Sequence, residues 1–382
     1  MMKTKEKIFI ALCFFAFIQP NFFVKINVLN YMSIGMALLC TLILLLRSFK
    51  KNVKFDITIF LLLLWRLLIF IPTLNHNGEI VKWGYQSVVF VGLYLLIKNY
   101  ICDKDAFRIV YKMIFSYVLI NILLMIIYPN GIFPQYGIYF LGIRTRFTEF
   151  SIALMYISLI YYNEYSSKNK KDRKKLITSY VLAIINILSK WVATGIVVIV
   201  LTILFYLLLR LLRNKKKLSL VYCFGFLILI ALSINLINGN LLNLFSGLFE
   251  LLNKDITLTG RTIIWENAIY VAKNYFLFGF GYVNDGNIIS YHNGLWQAHN
   301  TILQSMCECG IFGTLTLFMM IFKQGFPNKI DNKKINSLNV AIIFSFLIMM
   351  MTEITYYYPI FIFIIFLIGN NYKKLGEIKD DK

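Results

Sequence analysis

The chain has 382 residues, 59% hydrophobic and 15% charged, with a mean hydropathy of +0.70 and a formal net charge of +21. A soluble domain of this length cannot cover so much apolar surface, which excludes the ordinary globular classes. The excess of Lys and Arg does not mark a nucleic-acid binder either. It falls in short clusters between apolar runs rather than along a groove with interleaved aromatics, the pattern of an integral membrane protein.

From the N-terminus, MMKTKEK and then IFIALCFFAFI resemble a signal peptide. No small-residue cleavage site follows, so this segment is expected to remain as a first helix. Twelve apolar segments can be marked, at 8–23, 29–46, 57–74, 80–97, 107–127, 147–162, 176–188, 192–209, 218–237, 302–322, 338–351 and 354–368. They are continuous rather than alternating, which favours helices over barrel strands. The expected fold is therefore all-α, a polytopic integral membrane protein with about twelve transmembrane helices and one large extracytoplasmic loop. It divides into helices over 1–237, the loop over 238–301, three more helices over 302–369 and a tail over 370–382.

Orientation follows from the basic clusters. Lys3, Lys5 and Lys7 precede the first segment, and Arg47, Lys50, Lys51 and Lys54 follow the second. Lys98, Lys104 and Arg108 flank the gap after the fourth. SSKNKKDRKK follows the sixth and Arg213 with Lys215, Lys216 and Lys217 the eighth. Lys323, Lys329, Lys333 and Lys334 follow the tenth, and Lys373 and Lys374 lie in the tail. All fall on one side of a twelve-span count, which puts both termini in the cytoplasm. The opposite side is poor in basic residues, so its exceptions are informative: Lys25, Arg144, Arg146, Lys254, Arg261 and Lys273, with Lys82 and Lys190 at helix ends. The three histidines, His76, His292 and His299, are on that side too. Two outer segments are long, 128–146 and 238–301.

Within the second, Ile264, Ala268, Val271 and Tyr275 recur with helical spacing, predicting an amphipathic surface helix over 261–275. Gly279, Gly281 and Gly286 then predict turns. His299, just before the tenth segment, is the leading candidate for a general base, because an unperturbed imidazole titrates near ~6.5. Its bland alternative is an interfacial histidine beside Asn300. Arg261 offers a guanidinium fork suited to phosphate, or else is a surface arginine. Arg144 and Arg146 form a second outer pair, with Glu149 three residues on as an ion-pair partner for Arg146. Arg66 and Glu308 lie inside apolar segments. A charge at membrane depth implies a partner or a cavity, and Glu308 could offset an arginine or orient His299.

Other features are set aside. Asp103-Lys104-Asp105 spells a D-x-D, but in a short cytoplasmic link without a nucleotide fold. GFGYVNDG has the wrong glycine spacing for a dinucleotide site. Cys307 and Cys309 have no second pair to make a zinc site, and Cys13, Cys40, Cys102 and Cys223 lie in or beside apolar runs as small hydrophobes.

Gly260-Arg261, Trp265, Gly279-Phe280-Gly281, His299-Asn300 and Glu308-x-Gly310 with Gly313, in this order, resemble the O-antigen ligase / polysaccharide polymerase superfamily. LSKWVATG (188–195) resembles a further polar signature of that family, with Lys190 where many relatives have arginine, and GIRTRFTEF (142–150) its arginine-bearing stretch. The likeness covers about 130–320. It implies a GT-C-like fold in the bacterial cytoplasmic membrane and a metal-independent, cofactor-free glycosyltransferase. The donor would be an oligosaccharide on undecaprenyl diphosphate, and the acceptor a second lipid-linked repeat. A flippase and a chain-length regulator would be partners, and nucleic acid would not. By the same likeness His299 would activate the acceptor hydroxyl, Arg261 with Arg144 and Arg146 would hold the diphosphate, and Glu308, Lys190 and Arg66 would line the site. A Lys-, Asn- and Ile-rich composition hints at a low-GC genome. In a Gram-positive host no lipid A acceptor exists, which favours a capsule, exopolysaccharide or O-antigen polymerase over an O-antigen ligase. A lipid-linked oligosaccharide flippase and a scaffold protein of the glycan-assembly machinery are the readings from other classes.

Overall fold

The computed structural model describes residues 2–212, 214–237, 261–291, 294–327 and 333–380. The 238–260 part of the expected loop, with Lys254 and Gly260, lies outside the described residues, as do Arg213, His292 and Lys329. Helices dominate. In order they are α1 (Thr4–Phe17), a single turn α2 (Asn21–Val24), α3 (Asn27–Lys50), α4 (Ile57–Asn75), α5 (Ile80–Tyr100), α6 (Lys104–Ile127) and α7 (Arg146–Ile160). Then come α8 (Lys170–Leu188), α9 (Ala193–Leu211), α10 (Lys215–Ile237), α11 (Arg261–Asn274), α12 (Thr301–Gly325), α13 (Lys333–Met350) and α14 (Pro359–Asp380).

Each expected apolar segment coincides with a helix, and α11 is the helix expected in the loop. Among the described residues seven helices, α3, α4, α5, α6, α9, α10 and α12, are long and apolar enough to cross a membrane. Shorter apolar stretches, Lys334–Met350 and Pro359–Asn370, lie in α13 and α14. The protein is an all-α, multi-pass membrane protein. Its outward faces are themselves apolar, as with Leu38, Leu42 and Leu46 on α3 and Leu204, Leu207 and Leu208 on α9, which suits contact with lipid. In the interior, α12 runs along α4, α13 along α9, α14 along α5, α3 along α5 and α7 along α8. Buried asparagines and serines join some of these pairs. Asn186 of α8 donates to Ser151 of α7 at 3.0 Å, and Thr202 of α9 meets Ser345 of α13 at 2.6 Å.

Two segments differ from expectation at their edges. The first apolar run is not one helix to residue 23. It stops at Phe17 and restarts at Asn21, because Pro20 lacks an amide hydrogen and pushes its predecessor out of helical geometry. The last does not start at 354. Residues 351–358 form a non-helical link, and α14 opens on Pro359. A short hairpin, β1 (Ile289–Tyr291) against β2 (Gly294–Trp296), was not anticipated from the sequence.

The main departure from regular helix is in α12, which breaks at Gly310 (φ 59°, ψ −163°). The loop backbone fills the break. Phe280 N donates to Cys307 O at 2.6 Å and Gly281 N to Glu308 O at 2.9 Å, while Ile311 N donates to Phe276 O at 2.8 Å. A Cβ on Gly310 would collide with the Leu277 backbone, and one on Gly279 with the backbone of Glu308 and Cys309. The G-F-G turn and the E-x-G motif are therefore two halves of one joint. Orphaned backbone groups beside a membrane helix are tolerable when buried protein satisfies them, and 276–281 does so. This part of the loop packs into the bundle instead of lying over it. Thr73 extends the joint to α4, its hydroxyl accepting from Tyr282 N at 2.8 Å.

Candidate active site

At one end of the bundle the start of α7, the start of α11, the turn before α12 and the 351–358 link converge. The turn is built from both sides. Trp265, fully buried on α11, donates its indole N–H to Ala298 O at 2.9 Å. Ala298 N donates to Gln304 Oε1 at 2.8 Å. Asn300 caps α12 by accepting from Leu303 N at 3.1 Å, and its amide donates to Met351 O at 2.9 Å. Thr301 Oγ1 donates to Glu353 O at 2.7 Å and accepts from Thr355 N at 3.2 Å. Between these anchors His299 is held at φ 48°, an uncommon backbone region for a residue with a side chain. Strain of this kind persists only where the surroundings enforce it.

The His299 ring is half-buried, and no hydrogen bond to it occurs among the described residues. Burial depresses its pKa below the ordinary histidine value, and the Arg261 charge adds to this, whereas Glu353 opposes both. The imidazole is thus biased toward its neutral form, the form that can accept a proton.

Arg261 opens α11 and reaches the link. One terminal nitrogen donates to Thr352 O, and the other pairs with Glu353 Oε1 at 3.1 Å. From α7, Arg146 pairs with Glu149 at 3.6 Å and lies over the Tyr358 ring. The Glu353 carboxylate acts electrostatically on both Arg146 and Glu149. Near it Arg146 Nε, Thr352 Oγ1 and Thr355 Oγ1 are buried with no hydrogen-bond partner among the described residues, and Glu149 Oε2 has only its 3.6 Å ion pair with Arg146. Native proteins satisfy nearly all such atoms, so a cluster of them at one place points to a polar ligand.

The structure separates the other expected site residues from this cluster. Glu308 does not orient His299. It is fully enclosed further along α12, accepting from Gln304 Nε2 and Tyr356 OH at 2.9 Å each and from Tyr357 OH. Arg66 is near enough to act on it electrostatically, so the arginine-offsetting role is the one the geometry matches. Arg66 itself is tied to Ser87 Oγ at 2.8 Å and Trp83 O at 2.9 Å. Lys190 donates to Pro129 O and sits 5.2 Å from the Tyr139 ring, bracing the 128–139 link. Arg144 is exposed, two residues before Arg146, with no ion pair or hydrogen bond among the described residues. At the other end of the bundle the D-x-D is structural. Asp103 caps α6, accepting from Asp105 N at 2.7 Å, and Asp105 pairs with Lys7 at 2.9 Å.

Glu353 is the residue that sequence reasoning missed. It sits in the short gap between two apolar runs, where it read as a boundary. The available signal was an acid on the same side as Arg261 and His299, in TEITYYYP, beside three tyrosines that Glu308 and Arg146 then use.

Comparison with known proteins gives one family. Residues 178–318 match the family model described as O-Antigen ligase. That stretch runs from α8 through α11 and the His299 turn into α12; Arg146 and Glu353 lie outside it. No curated protein and no solved structure matches the chain. The match spans the ordered Arg261, Trp265, G-F-G, His299-Asn300 and Glu308-x-Gly310 elements that the fold joins into one unit, and over residues 178–318 the chain is similar to the O-antigen ligase family.

Proposed function

We propose that the protein is a polysaccharide polymerase that joins undecaprenyl-diphosphate-linked oligosaccharide repeats on the outer face of the bacterial cytoplasmic membrane. The carrying observation is the convergence of two arginines and a neutral-biased histidine, among unsatisfied buried polar atoms, at one end of an apolar bundle. Three further features support the orientation and substrate. Lys7–Asp105 and Lys98–Asp56 pairs gather the basic clusters at the opposite end. A bundle end near the bilayer surface suits a lipid-borne donor. Guanidinium groups suit a diphosphate.

In the reaction, His299 takes the proton of an acceptor sugar hydroxyl as its oxygen attacks the donor's anomeric carbon. The bond from that carbon to the diphosphate oxygen breaks, and its electron pair leaves with the polyprenyl diphosphate. Arg261 and Arg146 stabilise the charge that develops there. Arg144 stands at the mouth of the same end, and Arg66, Lys190 and Glu308 support the walls. The composition argument for a host without lipid A favours polymerase over ligase.

The test is to replace His299 or Arg261 with alanine in the native host. Full-length protein lacking both long surface chains and normal elongation, with single lipid-linked repeats accumulating on the outer leaflet, is expected. Repeats trapped on the inner leaflet would instead identify a flippase, and repeats polymerised but not attached to their final acceptor would identify a ligase.

A further inference from the structure

Glu353 has a place in the site that the proposed reaction does not use. Its carboxylate engages Arg261 at 3.1 Å, the contact a substrate phosphate oxygen would make. Arg146 is likewise matched by Glu149 at 3.6 Å. As it stands, the Arg261 guanidinium is engaged by a carboxylate where a diphosphate would have to bind. One of these pairs has to open before a phosphate can occupy its arginine.

The Glu353 pair is the one built to open. The backbone around it is strapped down, with its carbonyl on Thr301 Oγ1 at 2.7 Å and the adjoining Thr355 N and Met351 O also bonded to the His299 turn. Its side chain, however, makes its contact through a single terminal oxygen to a partly exposed guanidinium. Glu149 is buried in α7. The groups that face His299 electrostatically are Arg261 from α11 and Glu353 from the link, and Arg146 and Glu149 from α7 act on Glu353 in turn. Because the link is bonded to Asn300 and Thr301, the two residues after His299, the exchange needs only a turn of the Glu353 side chain toward the imidazole and no movement of the backbone.

We propose that Glu353 is a positioning residue that occupies the phosphate position on Arg261 in the resting site and turns to His299 when the diphosphate displaces it. The idea rests on the reading of Arg261 as the anion contact and His299 as the base. Substrate binding then does two things at once: it fills Arg261, and it supplies the imidazole with a carboxylate that stabilises the imidazolium formed when the acceptor hydroxyl gives up its proton. The proton then passes from His299 to the departing diphosphate or to solvent, which restores the neutral base, so no further reactant is required.

The two roles of Glu353 predict effects of opposite sign. In full-length protein in lipid nanodiscs, Glu353→Gln removes the competitor for Arg261, and farnesyl diphosphate, used as probe, binds about tenfold more tightly. Chain elongation on the native lipid-linked repeats falls by about tenfold or more because the imidazolium loses its partner. A residue that merely braces the link would weaken both together. Weaker or unchanged probe binding in Glu353→Gln, or elongation at the wild-type rate, overturns the proposal. If that variant does not accumulate, Glu353→Asp takes its place, keeping the charge with a shorter reach: tighter probe binding supports the exchange, and unchanged binding overturns it. Arg261→Ala separates the two levels. Wild-type probe binding in that variant removes the reading of Arg261 itself, whereas lost binding there with no gain in Glu353→Gln removes the exchange and leaves that reading standing.

Discussion

The chain sets arginine near buried glutamate in two places, around Glu308 and around Glu353, and the two are built to opposite ends. Around Glu308, both carboxylate oxygens accept from neutral donors, Gln304, Tyr356 and Tyr357, while Arg66 spends its own donors on Ser87 and the Trp83 carbonyl. Arg66 and Glu308 are buried and bonded. Around Glu353, one guanidinium is partly exposed, and among the described residues the nearby imidazole has no hydrogen bond and the buried Arg146 Nε, Thr352 Oγ1 and Thr355 Oγ1 have no partner. Saturated groups hold a structure, because moving any of them leaves a buried donor empty. Unsaturated groups of the same types, at a bundle end, are available to a ligand. Residue type thus does not separate the structural cluster from the reactive one; satisfaction does.

The sharpest way to break this contrast is to exchange the outcomes. His299→Ala is expected to lower elongation by about 10²–10⁴-fold, the range for loss of a general base, with membrane abundance unchanged on immunoblots. Glu308→Ala should do the reverse. It strands the hydroxyls of Tyr356 and Tyr357 at about 1–3 kcal/mol for each donor left unpaired, while the Gln304 amide keeps Gly286 O as an acceptor. Lower abundance and a lower melting temperature are the expected results, with residual protein retaining turnover. A Glu308→Ala protein of normal abundance but no activity would place Glu308 in the chemistry and erase the distinction.

How much of this was legible in the sequence depends on the kind of interaction. The apolar segments and α11 could be read because burial imposes a local period, and Arg261 and His299 because charged and titratable groups are conspicuous on a face otherwise poor in them. Glu353 could not, since its meaning comes from an ion pair across 92 residues and its own neighbourhood looked like the edge of a span. The break at Gly310 was hidden for a similar reason. A glycine inside an apolar run signals little until the chain 29 to 34 residues earlier, Phe276 to Gly281, is known to fill the gap. Glu308 was visible as an anomaly at membrane depth, but which of its two readings applied depended on three tyrosine and glutamine hydroxyl and amide groups that only packing brings together.

A smaller effect sharpens the electrostatic side of the comparison. Burial and Arg261 hold the His299 pKa down, so the reactive neutral form persists below the ordinary histidine range of about 6.5. The acid limb of kcat/KM should accordingly fall at a pH lower than that value, since protonation of the base is what switches the reaction off. In Arg261→Lys the cation is retained, and the limb should stay low even though the bidentate geometry is lost. A limb at or above the unperturbed value in both proteins would mean that a group other than His299 carries the proton.

The smallest effects are expected at two further outer cations that the sequence offered as substrate contacts. Arg144 is exposed and makes no ion pair among the described residues, and Lys190 is committed to Pro129 and Tyr139. Substitution at such surface sites is worth about 0.5 kcal/mol or less, so Arg144→Ala and Lys190→Ala should each change elongation by no more than about twofold. Arg146→Ala, by contrast, removes the partner of Glu149 and the cation over Tyr358 and should lower elongation far more. The comparison is internal, because Arg144 and Arg146 share one turn and one side of the bundle and differ in whether they reach the cluster. Equal losses at the two positions would mean that the outer face holds its anion by diffuse charge, and that the geometry around Glu353 is incidental to binding.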